Sequence, residues 1–159
     1  MRPAAWSVLL LLSACEPAPR TQVMLEVDAE PMVRMETTRL LVHVRGGEAG
    51  TDPATWASRH RDTITDPMWP RRIALVPLEP DPPRAYSAEI RAERADGTVV
   101  TVSTIRGGYV QNRTKLIVLR LEDACLGVDC ADMRCEEGRC VDPLVDVASA
   151  PDLDVDAGI

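Results

Sequence analysis

The stretch Tyr86-Ser87-Ala88-Glu89-Ile90-Arg91-Ala92-Glu93 alternates apolar or small residues with polar ones at every second position. A period of two is typical of a strand with one face buried and the other in water. Asp96-Gly97 follows closely and precedes a second alternating run at 98–106. Because glycine accepts the positive φ that tight hairpin turns need, this dipeptide predicts a β-hairpin.

The same alternation recurs through residues 22–122, between turn formers such as glycine, proline and aspartate. Further strands are predicted at 22–28, 39–45, 73–77 and 115–122, with a short one near 59–65 inside a long crossover at 46–72. Pro77 marks a strand end or an edge strand, because proline cannot donate a ladder hydrogen bond. About seven antiparallel strands in about 100 residues predict an all-β fold, an immunoglobulin-like two-sheet β-sandwich over residues 22–123. A small barrel or an irregular meander is the alternative.

Composition and charge limit the size of the fold and the classes of partner that the sequence allows. The 159 residues allow one domain with appendages, and three Trp, two Tyr and no Phe leave the core to aliphatic residues. The net charge is −7, and residues 122–159 hold two basic and 11 acidic side chains. No nucleic acid partner is expected, since phosphate binding needs a basic face. Residues 143–159, rich in Ala, Asp and Pro, predict a disordered acidic tail.

The first 15 residues have the order of a bacterial lipoprotein signal. Arg2 precedes a short apolar run that ends in Leu12-Ser13-Ala14-Cys15. The run of about seven residues is too short to span a bilayer, which takes about 20. We expect residues 1–14 to be removed as a signal peptide, Cys15 to be lipidated, and residues 15–21 to act as lipid anchor and linker. The predicted location is the cell envelope, on the periplasmic or surface face of the outer membrane.

The remaining cysteines form a predicted C-terminal module at 124–142. They are Cys125, Cys130, Cys135 and Cys140, and four residues separate each neighbouring pair. A dense, even-numbered cluster in an exported chain predicts two disulfides. A four-thiolate zinc site is the alternative, although such sites favour a two-residue gap within each pair. Of the three connectivities that four cysteines allow, we favour the interleaved one, Cys125–Cys135 with Cys130–Cys140.

In its whole organisation the chain resembles a group of uncharacterised bacterial envelope lipoproteins of the myxobacterial type. The resemblance rests on Leu12-Ser13-Ala14-Cys15, on a β-rich body with Trp69-Pro70 leading into a strand, and on the cysteine tail at 122–141. It implies a β-sandwich body with a four-cysteine C-terminal module, and it implies no activity.

Candidate catalytic chemistry is sparse. The sequence contains no nucleophile elbow, no phosphate-cradling glycine-rich loop and no His-Glu-x-x-His pattern. His43 lies in an alternating strand and reads as an ordinary sheet residue, and His60 lies between two arginines and reads as solvated. We therefore predict no enzyme activity, no catalytic residue, no metal site, no cofactor and no small-molecule substrate.

Two other groups of residues have a functional and a plain interpretation. One is a set of four arginines that can bind lipid phosphates, which we interpret as solvated loop charge. They are Arg59, Arg61, Arg71 and Arg72. The other is the pair Trp56 and Trp69, which can contact a sugar or peptide. In a chain without Phe, we expect these indoles to be buried in packing.

The sequence thus predicts a lipid-anchored cell-envelope lipoprotein with a non-enzymatic binding or structural role. Its partners are the membrane, through the N-terminal lipid, and a protein of the envelope. The alternative is an accessory subunit or inhibitor of an envelope enzyme. An odd number of strands places the two chain ends at opposite poles, so we expect the cysteine module to project away from the membrane.

Overall fold

The structure is a computed structural model that describes residues 20–79 and 83–153. The predicted signal peptide, the lipidation site Cys15 and residues 154–159 of the predicted tail lie outside the described residues. The strands are β1 Gln22–Ala29, β2 Arg39–Glu48, β3 Ala57–Thr65, β4 Arg71–Leu75, β5 Arg84–Glu93, β6 Val99–Gly108, β7 Thr114–Leu121, β8 Arg134–Glu136 and β9 Arg139–Val141. A short helix, α1, spans Pro31–Glu36, and single 3-10 turns span Pro53–Thr55 and Asp123–Cys125.

Two sheets pack as a β-sandwich, which confirms the predicted fold class. One sheet has the strand order β3-β2-β5-β6 and the other has the order β4-β1-β7. Their inner faces bury the alternating aliphatic residues, and Leu25, Leu40 and Ile90 are fully buried. Burying each such side chain stabilises the fold by about 1.5–3 kcal/mol. The largest fully buried side chain is Tyr86, so the Phe-free core contains one aromatic ring at its centre.

The predicted hairpin joins β5 to β6. Ile90 lies opposite Ser103 in an antiparallel register. The turn is closed by hydrogen bonds from Arg94 N to Thr98 O at 2.9 Å and from Gly97 N to Arg94 O at 3.0 Å. Gly97 has a φ of 87°, the left-handed conformation that the Asp-Gly pattern predicts.

Strands β1 and β7 pair in parallel, so the expectation of antiparallel pairing throughout is wrong for this pair. Gln22 lies opposite Thr114 at one end, here called the amino-terminal pole, and Ala29 lies opposite Leu121 at the other end, the far pole. The arrangement arises because β1 is the central strand of its sheet, with β4 antiparallel on its other side. The sandwich therefore begins at one pole and ends at the other, as predicted.

Helix α1 and the start of the cysteine module meet at the far pole. Val33 of α1 is fully buried. Asp123 Oδ1 accepts hydrogen bonds from the N–H groups of Met32 and Val33, each at 3.0 Å. Glu30 Oε2 accepts a hydrogen bond from Asp123 N at 2.9 Å. These reciprocal bonds fix the chain that leaves β7 against the start of α1, whose N–H groups have no partner within the helix.

The prediction of a disordered tail is wrong for residues 143–153, which pack along the body. Val147 is 5% exposed and belongs to the main core cluster. It lies so close to Gly107 that a Cβ added there would be 2.7 Å from Val147 Cγ2. Packing of Val147 at Gly107 and backbone hydrogen bonds such as Val145 N to Arg106 O at 2.8 Å together hold the segment against the sandwich.

The crossover predicted at 46–72 is also mostly strand. It carries β3, which pairs antiparallel with β2 from Arg39↔Thr65 to Gly46↔Ala57, with an irregularity between Val44 and Arg45. Strand β4 ends at Leu75, before Pro77, and pairs with β1 alone among the described strands. Pro77 therefore marks the end of an edge strand, as its missing N–H predicts.

Candidate binding groove at the open edge

The two long sides of the sandwich differ in how their edge strands end. On one side lie β6 and β7, and the C-terminal segment 127–153 contacts both. We call it the closed side. On the other side lie β3 and β4, each with a single neighbouring strand among the residues that the structure describes. We call it the open edge.

On the closed side, outer backbone groups of β6 hydrogen-bond to the C-terminal segment at three residues. Gly127 N donates to Val100 O at 2.8 Å, Thr104 N donates to Met133 O at 2.9 Å, and Arg106 N donates to Pro143 O at 2.7 Å. Since an unpaired edge can template aggregation, this cover protects the sandwich.

The cysteine module provides most of that cover. Its disulfides are Cys125–Cys135 and Cys130–Cys140, which confirms the favoured interleaved pairing. The zinc alternative fails because the four sulfurs are bonded to one another and supply no thiolate. Cys135 N donates to Ser103 Oγ at 3.2 Å, so the hairpin β8–β9 is anchored on β6. The module starts at the far pole and folds back along β6, so it packs against the side of the sandwich.

The segment 143–153, here called the strap, runs from β6 to β7 and is held by the chain's single lysine. Lys115 is 7% exposed. Its Nζ donates to Ala148 O at 3.2 Å and Ala150 O at 2.8 Å and lies 3.0 Å from Asp152 Oδ1. Every hydrogen of the ammonium group thus has an acceptor within the strap.

The open edge contrasts with this arrangement. Every residue of β3 is exposed except the half-buried Ile64. Between β3 and β4 lies a groove of about 730 Å³. Such a volume falls within the range of small-ligand pockets. The groove lies toward the amino-terminal pole, where Tyr109 forms part of its wall.

The groove has an apolar base and a polar wall. Ile73 and Leu75 of β4, Val44 of β2 and Tyr109 supply the apolar surface, and Arg59 and His60 of β3 belong to the opposite wall. The rim adds two exposed apolar side chains, Val76 at 61% and Leu78 at 77%. Apolar lining with a few polar groups is typical of binding sites.

The four arginines considered for lipid binding are exposed, as the interpretation of solvated charge predicts, but they lie on strands of the open edge and not on loops. Arg59 and Arg61 belong to β3, and Arg71 and Arg72 belong to β4. Arg72 Nε lies 2.8 Å from Glu26 Oε2. The other three form no ion pair within 4.0 Å with any described carboxylate. The sequence contained the charges, but their positions on two edge strands depend on the pairing of β3 and β4 with separate sheets.

The groove wall is completed by two arginines that already have carboxylate partners. Arg45 Nη2 lies 2.9 Å from Asp132 Oδ1, and Arg84 Nη2 lies 3.3 Å from Glu79 Oε2. Both pairs involve exposed carboxylates, so each contributes little to stability. The arginine of the groove lining that has no described ion pair is therefore Arg59 of β3.

The histidines are separated by the sheet. His43 Nε2 lies 3.1 Å from Ser58 Oγ, a pair that sequence reasoning missed because the two residues sit on different strands. Burial and the nearby Arg61 lower the pKa of His43. No described carboxylate hydrogen-bonds the ring, and a nucleophilic site needs such an orienting group. His60 is exposed on β3.

The tryptophans confirm the packing interpretation. Trp56 is 8% exposed, and its Nε1 donates to Thr51 Oγ1 at 2.8 Å. Its ring lies on Gly47, where an added Cβ would be 2.7 Å from Trp56 Cγ. Trp69 is half-buried against the main core. Within the described ranges, no group of three His, Cys, Asp or Glu side chains is arranged to hold a metal ion.

Comparison with known proteins gives no match: no family model, no curated protein and no solved structure is similar to the chain. Across residues 20–79 and 83–153, no helix has the length and apolar character needed to cross a bilayer.

Proposed function

We propose that the protein is a lipid-anchored component of the cell envelope, with a non-enzymatic role as a binding module. The observation that carries the binding role is the groove of about 730 Å³ between β3 and β4. It is apolar at its base, its β3 wall carries Arg59 without a described ion pair, and it is accessible from solvent. The closed side has its edge groups occupied by the chain itself, so the open edge is the surface available to a partner.

The proposed location in the cell envelope has separate support. The sequence Leu12-Ser13-Ala14-Cys15 has the form of a lipidation signal. Two disulfides in a module of this size are typical of exported proteins, because cytosolic thiols are kept reduced. The six residues from Glu16 to Thr21 span at most about 20 Å. They lead to the amino-terminal pole, so a lipid at Cys15 would hold that end of the sandwich, and with it the groove, near the membrane.

The proposed lipid anchoring is tested with a Cys15→Ser variant in cells. Radiolabelled palmitate should be incorporated into the original chain but not into the variant, and only the original chain should sediment with membranes. Equal membrane association of both chains would contradict lipid anchoring.

The binding role is tested by site-specific photocrosslinking in whole cells. A photoreactive residue replaces Ala74 on β4 in one variant and Arg139 on β9 in a matched control; both positions are exposed. We expect one discrete adduct from position 74 and none from position 139. Crosslinks from the closed side only, or from neither position, would contradict a role for the open edge.

A further inference from the structure

We infer that the groove binds an extended, acidic peptide strand, which adds to the edge of β4 as an eighth strand of the sandwich. The inference deepens the proposed function, since it rests on the open edge being the binding surface and names the chemistry of the partner. Three independent features of the open edge support it: unequal sheets, an apolar base and an excess of arginine.

Because the two sheets differ by one strand, the edge strand β3 of the larger sheet has no strand of the smaller sheet opposite it. One sheet has four strands and the other three, and β3 is the edge strand of the larger sheet. Its residues are exposed along almost the whole length from Ala57 to Thr65. A strand added beside β4 would lie opposite β3 and cover its inner face. Strand addition to an exposed edge is a recurrent mode of peptide recognition.

Backbone hydrogen bonding favours a peptide over a lipid chain or a small ligand. In β4, the bonds with β1 run from Val23↔Leu75 to Val27↔Arg71 and use one side of the strand. The outward N–H and C=O groups of β4 have no strand partner among the described residues. A peptide backbone offers matching donors and acceptors at the same spacing, whereas an acyl chain offers none.

The side chains of the groove then determine which residue types the added peptide strand should have. Alternate residues of the added strand would face Ile73, Leu75 and Val44, so these residues should be apolar. Strands β3 and β4 together carry four arginines and one aspartate, Asp62, and Glu79, a carboxylate that lines the groove, is already paired with Arg84. Arg59 belongs to the groove wall and has no ion-pair partner among described residues. An acidic strand satisfies this charge, and a basic strand is repelled by it.

The test uses the full chain in mild detergent and a blocked octapeptide, Asp-Leu-Asp-Val repeated twice, as the probe. Binding is measured by fluorescence anisotropy of the labelled peptide. We expect saturable binding that weakens as salt is raised. The same peptide with lysine in place of aspartate should not bind, and neither should an acidic peptide N-methylated at alternate residues, which cannot form the ladder.

Protein variants locate the site. The double variant Arg59→Glu with Arg71→Glu should weaken binding at least about tenfold, which corresponds to about 1.4 kcal/mol. The control Arg139→Glu changes an exposed arginine on β9 that has no described ion pair, and it should leave affinity within about twofold. Equal effects of the two changes would overturn the assignment to the open edge.

Other outcomes overturn the inference in distinguishable ways. Equal affinity of the N-methylated and unmodified peptides would exclude strand addition. Binding to phosphatidylglycerol vesicles without any binding of the acidic peptide would assign the arginines to lipid headgroups instead. If the peptide fails while position 74 still crosslinks to a protein in cells, the partner chemistry inferred here is wrong and the proposed function stands. If position 74 also gives no crosslink, both fail.

Discussion

The closed side and the open edge of the sandwich each end in two edge strands, but among the described residues only the closed side is covered by the chain itself. On β6, Val100, Thr104 and Arg106 bond to the C-terminal segment, and the strap continues to β7. On β3 and β4 nothing in the described chain does the same. The difference indicates that covering an edge requires a dedicated segment, here about 25 residues stabilised by disulfides, and that the uncovered edge is where recognition can occur.

The largest expected effect comes from removing the covalent bonds of the closed side. Replacing Cys125, Cys130, Cys135 and Cys140 by alanine should lower the free energy of unfolding by at least about 3 kcal/mol. Each bond closes a loop with a sequence separation of 10, so its loss frees the unfolded chain. Urea unfolding measures the change, and Cys15→Ser is the control.

Amide hydrogen exchange shows where in the structure the loss of the disulfides acts. Without the disulfides, the amides of Thr104 and Arg106, which bond to the C-terminal segment, should lose protection. The amides of β2, paired on both sides, should keep theirs. Unchanged protection on β6 would show that the module covers the edge without its covalent bonds.

The second largest effect is expected at the lysine that holds the strap. Lys115→Met keeps the aliphatic length but leaves Ala148 O and Ala150 O without their donor. The loss of a buried, charge-assisted network should cost about 1–3 kcal/mol in thermal or urea unfolding.

Arg113→Met is the matched control for the lysine. Arg113 Nη1 lies 3.3 Å from the same carboxylate, Asp152 Oδ2, but both side chains are largely exposed. An exposed ion pair contributes at most about 1 kcal/mol, so this change should be small. Equal losses for the two variants would mean that Asp152 alone, not the strap carbonyls, explains the effect of Lys115.

The sequence was sufficient for the features that are encoded locally. Alternation predicted six of the seven sandwich strands, and Asp96-Gly97 predicted the hairpin, because a strand's period and a turn's φ depend on neighbouring residues. The seventh, β3, was expected only as a short strand near 59–65 within a crossover. The cysteine spacing allowed the correct pairing to be favoured among three. Helix α1 was missed since six residues are too few for a helical period to appear.

Features built from distant residues were not predictable. The strap looks like a polar tail in sequence, and its order depends on Lys115, 33 residues before Ala148, and on the gap at Gly107. The groove depends on β3 and β4 joining different sheets, which no local pattern specifies. The four arginines were visible, but only the sheet topology shows that their strands are the two uncovered edges.

A smaller effect is expected from the two tyrosines that link the two sides. Tyr86 and Tyr109 have ring centroids 5.4 Å apart, and Tyr109 reaches the groove. Burial raises the pKa of Tyr109 to about 12, and burial followed by the charge of Tyr109 raises the pKa of Tyr86 further. Both groups bind their protons more tightly when folded. Their contribution to stability is therefore complete below pH 10 and is lost as the pH rises toward 12.

Unfolding free energy measured between pH 9 and pH 12 checks the sign of this prediction. Each tyrosine should add a slope of up to about 1.4 kcal/mol per pH unit above pH 10. Tyr109→Phe keeps the ring and removes the titration, so its curve should be flatter. A curve that rises with pH, or one that Tyr109→Phe leaves unchanged, would contradict burial of these phenols.

The smallest effect is expected on the open edge itself. Arg61→Ala on β3 removes an exposed side chain without a described ion pair, so the unfolding free energy should change by less than about 0.5 kcal/mol. Thr104→Ala on β6 is the matched test, because Thr104 is fully buried and its Oγ1 donates to Ala131 O at 2.9 Å. Its loss should cost about 1–2 kcal/mol. Comparable costs on the two edge strands would contradict the division into a closed side that stabilises the fold and an open edge left free for a partner.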